Sequence, residues 1–149
     1  MSLDYRLTLA TGLTAAQIAE RALLPVEAVS WGDGRALGAN LSGTLGVDVT
    51  LRSARHGYVD ADTDGEPLEW EPGPFVAITF GLGGSVRSGQ AAANMIAVVR
   101  RVLETGPEDA ALVVNGDYLL VARFGGHLVK HNHARWWSAH PAADAVIGG

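Results

Sequence analysis

A chain of 149 residues with 48% hydrophobic content is long enough to bury roughly 68–70% of its unfolded surface, and the lack of cysteine excludes disulfide staples, thiolate catalysis and zinc–thiolate centres. The formal net charge of −5 excludes the dense basic surface that nonspecific binding to nucleic acid or anionic membrane requires; a charged partner is expected to be basic. No apolar run approaches the roughly 20 residues of a membrane helix, and the start MSLDYRLTLATG carries an acid where a signal peptide is basic and then apolar, so a cytoplasmic location is expected.

In chain order, Leu3, Tyr5, Leu7 and Leu9 alternate with polar residues, the period-two pattern of a strand with one buried face. Thr14 and Gln17 are spaced as a capping box and open a short helix that Pro25 closes. Residues 26–43, with scattered glycines and short apolar pieces, read as loop. Leu45, Val47, Val49 and Leu51 alternate again and predict a second strand. Residues 58–62 and 68–71 flank Asp64-Gly65 and predict a hairpin, and Pro72-Gly73-Pro74 separates it from a strand over 75–80.

The most strongly marked block is 88–130. Ala92, Met95, Ile96, Val99, Val102 and Leu103 share one helical face, and Gly106-Pro107 ends that helix. Two hairpins follow, with Asn115-Gly116 and Gly125-Gly126 as their turns. Helices separated by runs of strands predict an α+β fold, mainly an antiparallel sheet with two helices packed on one face and the other face open for docking.

Three constellations have the residue types for chemistry. Asp60, Asp62, Asp64, Gly65 and Glu71 satisfy a calcium-loop spacing, but Pro67, the strand-like flanks and the Pro-Gly-Pro that follows favour an acidic hairpin turn without metal. Residues 81–89 form a glycine-rich strand-to-helix link, yet Val86 stands where a third dinucleotide-fingerprint glycine belongs and no Gly-Lys-Ser/Thr follows. His127, His131, His133 and His140 have spacings that reach a metal, but no cysteine or carboxylate cluster accompanies them. No cofactor, metal site or catalytic residue is therefore expected. The alternative class is a small-ligand- or metal-binding enzyme using the 81–89 loop or these histidines.

The segments DYRLTLA, GYVDADTDGEPLEWEP, NMIAVVRRVLETGPEDAALVVNGDYLL and VKHNHARWW together resemble the immunity-protein family of the Sit swarming-inhibition toxins, of the third type, over residues 2–137. The resemblance implies one immunity-protein-like domain over 1–137; residues 138–149 lose all periodicity and are expected to be a disordered tail. The resemblance also implies a noncatalytic protein that binds and neutralises a cognate bacterial toxin. Asp60, Asp62, Asp64, Glu66, Glu69 and Glu71 place six carboxylates within twelve residues, the physical complement of a basic toxin, and with Trp70 they are the expected partner-binding residues. Trp136 and Trp137 are further aromatic anchors wherever they prove exposed.

Overall fold

The computed structural model describes residues 4–31, 34–83 and 86–148. Strand β1 (Asp4–Ala10) lies inside an eight-stranded antiparallel sheet whose order is β10-β9-β8-β1-β7-β4-β3-β2. The remaining members are β2 (Glu27–Trp31), β3 (Gly34–Leu41), β4 (Val47–Ala54), β7 (Phe75–Leu82), β8 (Ala110–Val114), β9 (Tyr118–Phe124) and β10 (His127–Lys130). Two short strands, β5 (Val59–Ala61) and β6 (Leu68–Trp70), pair separately.

Both β7 and β8 run antiparallel to β1 and are thus parallel to each other. A parallel pair cannot be joined by a tight turn, and helix α2 (Ser88–Glu104) makes that crossover past β1. Helix α1 (Ala15–Arg21) leads from β1 toward the far edge in the same way. Its predicted capping box is formed: Gln17 N donates to Thr14 Oγ1 at 3.1 Å, and Thr14 N to Gln17 Oε1 at 2.9 Å. Both helices cover one sheet face. There Tyr5, Leu7, Leu9, Val49, Leu51, Val76, Ile78, Phe80 and Leu112 meet Ile18 of α1 and Met95, Ile96, Val99 and Val102 of α2, all buried. The α+β architecture with helices on one face is as expected.

Arginine fixes the end of α2. Arg123 donates to the carbonyls of Leu103 (2.6 Å), Gly106 (2.9 Å) and Glu108 (2.7 Å), acceptors at and beyond the helix terminus. Arg21 reaches the same terminus, donating to the Val102 carbonyl at 2.8 Å and gripping Glu108 with two bonds of 2.7 and 3.0 Å.

Three expectations are corrected. Residues 26–43 are not all loop: β2 and β3 pair there, with Gly38 opposite Glu27 and Leu37 opposite Leu51. The tail is not disordered over its described part. Trp137–Ala139 forms a 3-10 turn and Pro141–Asp144 a short helix, α3, with Ala143 and Ile147 buried in the main core. Lys130 holds it there, its Nζ 2.7 Å from Asp144 Oδ1 and 4.6 Å above the Trp137 ring. Finally, the face opposite the helices is only half open. The β5–β6 hairpin folds onto its β8–β9 half, where Val59 and Ala61 join Ala111, Val113, Leu119 and Ala122 in a second apolar cluster. A hairpin this small cannot bury its apolar face alone and takes the sheet as its partner.

Candidate functional site

The β5–β6 hairpin carries all six predicted carboxylates, and the structure exposes every one: Asp60, Asp62, Asp64, Glu66, Glu69 and Glu71. Alternation explains the arrangement. Val59 and Ala61 point into the sheet, so Asp60 and Asp62 point out, and Asp60 is paired across the hairpin with Glu69. The turn is organised locally by Thr63, whose hydroxyl donates to the Glu66 carbonyl at 2.6 Å and accepts from Gly65 N at 2.9 Å. Trp70 is half-buried, its ring edge-on to Phe124 with centroids 5.0 Å apart, and so serves as an anchor for the hairpin itself.

The hairpin is tied down at its tip as well as its base. Leu119 N donates to the Asp62 carbonyl at 2.8 Å and Asp62 N to the Asp117 carbonyl at 2.9 Å, extending β9 into the hairpin. Asn132, buried and held at a left-handed φ of 59°, supplies the rest. Its side-chain amide donates to the carbonyls of Asp62 (3.1 Å) and Leu119 (2.8 Å), and its backbone N donates to Asp64 Oδ2 (2.8 Å). One of the predicted contact carboxylates, Asp64, thus has a structural duty.

Trp136 and Trp137 are not surface anchors. Both are buried, Trp136 Nε1 donating to the Tyr5 hydroxyl at 3.1 Å and Trp137 Nε1 to the Leu120 carbonyl at 2.9 Å. The histidines are dispersed: His127 and His133 are exposed, and His140 stacks on Trp136 with centroids 4.0 Å apart. Among the described residues, no three His, Cys, Asp or Glu side chains converge into a metal-binding group. Of the glycine-rich stretch 81–89, Gly84 and Ser85 lie outside the described residues.

Beside the hairpin, the open half of the sheet face forms a concavity of ≈ 530 Å³ that sequence reasoning missed. Its floor comes from three strands. Arg6 of β1 is paired with Thr79 of β7, while Ala77 of β7 is flanked by Thr8 of β1 and Arg52 of β4, so the two arginines sit diagonally across β7. Asp4, Tyr58, Asp60 and Asn115 stand around that floor. Burial, and then the neighbouring Arg52 charge, push the Arg6 guanidinium below its usual pKa.

Residues 3–141 match the family model described as SitI3-like. The chain belongs to the SitI3-like family. The match runs through both hairpins, the acidic β5–β6 excursion and the tryptophan pair, so every structural feature of this SitI3-like surface lies within it. No curated protein and no solved structure matches the chain. The SitI3-like name is that of an immunity-protein family. Among the described residues, no helix is long and apolar enough to cross a membrane.

Proposed function

We propose that this SitI3-like protein is a noncatalytic, single-domain immunity protein that binds a cognate bacterial toxin in the cytoplasm and neutralises it. The contact surface is the β5–β6 hairpin with the concave half-face beside it. The observation that carries this reading is the hairpin itself: six exposed carboxylates are displayed on a mount fixed by a packed apolar underside and by Asn132. A solvated charge run needs no such mounting. A preformed binding surface does, because ordering a loop on association subtracts from affinity.

The toxin face that fits is basic. Opposed potentials accelerate encounter and suppress wrong partners, so an acidic hairpin favours capture of a cationic protein such as one with a nucleic-acid-directed active site. The test is co-expression with the candidate cognate toxin. Cells carrying both grow, and cells carrying the toxin alone do not. Growth arrest despite full expression of this chain would defeat the reading, as would turnover of a small substrate by the purified protein.

A further inference from the structure

The concavity beside the hairpin has an electrostatic character opposite to its surroundings. Asp4 and Asp60 mark its rim, but Arg6 and Arg52 converge on its floor. Arg6 is half-buried, and its Nε is shielded from solvent with no hydrogen-bond acceptor among the described residues. Its guanidinium lies 5.9 Å from the Phe75 ring centroid, a contact that gives a cation some attraction but satisfies none of its N–H donors. Thr8 and Thr79 line the same floor. A buried Nε–H without an acceptor, beside a like charge, costs stability that an anion accepting from it would restore.

We propose that this floor receives a carboxylate of the protein partner, an aspartate or glutamate side chain that accepts from Arg6 Nε. The inference rests on the toxin-binding reading above and specifies its chemistry further. Continuity favours a protein side chain over a free oxyanion, because Tyr58 and Asp60 belong both to the concavity's wall and to the hairpin surface. The complement of a cationic floor inside an acidic rim is one acidic residue with basic neighbours. Such an epitope lets an otherwise basic partner be held in one register: the rim selects its overall charge, and the single acid fixes its position.

The probe is a capped Lys-Glu-Lys tripeptide titrated into the full chain while arginine Nε–Hε resonances are followed by NMR. Capped Lys-Gln-Lys and inorganic phosphate are the comparison arms. The expected result is a saturable shift of the Arg6 resonance by Lys-Glu-Lys that the glutamine peptide does not reproduce. Affinity should fall about 10- to 100-fold in Arg6→Met, the loss of charge-assisted hydrogen bonds at one guanidinium. Arg6→Met should also melt at or above the wild-type temperature, since it removes an unsatisfied buried donor while keeping an apolar stem against Phe75. A clear drop in melting temperature would mean that Arg6 is a structural residue, and would overturn the proposal. So would the absence of any shift, or a site that phosphate fills and the peptide cannot enter.

Binding to the candidate cognate toxin separates this inference from the reading it rests on. Unchanged affinity of Arg6→Met for that toxin would remove the pocket from the interface and leave the immunity reading standing. Failure of the wild-type chain to bind the toxin, with Lys-Glu-Lys still titrating Arg6, would overturn the toxin as the source of the carboxylate.

Discussion

The backbone N–H of Asn132 donates to Asp64 Oδ2 at 2.8 Å, joining the tip of the acidic hairpin to the segment that leaves the last strand. Asn132 also holds the Asp62 and Leu119 carbonyls through its side chain, so one residue welds the proposed contact surface to the sheet. Both its roles are separable by mutation. Asn132→Gly keeps the left-handed backbone and loses the side-chain bonds, with an expected cost of about 1–3 kcal/mol. Asn132→Ala loses both and should cost about 1 kcal/mol more. Denaturant unfolding measures the stability, and amide exchange over residues 59–70 should accelerate in both variants. Equal stability of all three proteins would show that the weld is immaterial.

Gly106 and the Arg21–Glu108 pair are coupled. A Cβ on Gly106 would collide with Glu108 Oε1 and the Arg21 guanidinium, so Gly106→Ala should displace the ion pair from the α2 terminus. The pair also predicts acid sensitivity. Burial opposes ionisation of Glu108, but the hydrogen bonds and charge of Arg21, with Arg123 beyond, hold its carboxyl below the ordinary value of 4.5. A depressed folded-state pKa contributes stability in full above 4.5 that is lost as pH falls through the lower folded value. Glu108→Gln should therefore cost about 2–3 kcal/mol at neutral pH, and its deficit relative to wild type should shrink below pH 4.5. A deficit independent of pH would show that charge is not the cause.

Leu23 is strained and exposed. It follows α1 at a φ of 56° with 71% of its surface in solvent, a position where glycine carries no Cβ penalty. Leu23→Gly should raise stability by up to about 1 kcal/mol. A loss in thermal melting would show that Leu23 makes a packing contribution larger than the strain.

The core face of α2 gives a plainer test. Ile96 and Val99 are fully buried against the sheet, and truncation to alanine should cost about 2–4 kcal/mol at Ile96 and less at Val99. Denaturant melts unaffected at both sites would contradict the packing described.

Local chemistry explains which parts of this fold were legible in the sequence. The turns Asn115-Gly116 and Gly125-Gly126, all at positive φ, and the Thr14–Gln17 box are short-range devices whose residues declare them. Strands β2 and β3 were hidden because their pairing uses small residues: Ala36 and Ala39 are buried without a strong alternating signal, and Gly38 leaves room for Val29. The ordered tail depends on Lys130 and the tryptophans, tertiary contacts with no periodic signature. Arg6, Thr8 and Arg52 each read correctly as the polar side of a strand. Only the register across β7 brings them together, and pairing between segments distant in sequence is not written in either one.

The central claim is that the acidic hairpin captures a basic toxin, and association kinetics test it most directly. Asp62→Asn, Glu66→Gln and Glu71→Gln remove three exposed charges while sparing Asp64, which Asn132 needs. Stopped-flow binding to the cognate toxin should show the triple variant associating about tenfold more slowly at low ionic strength, with a flatter salt dependence and a dissociation rate close to wild type. Identical association rates and salt slopes for the two proteins would contradict the claim.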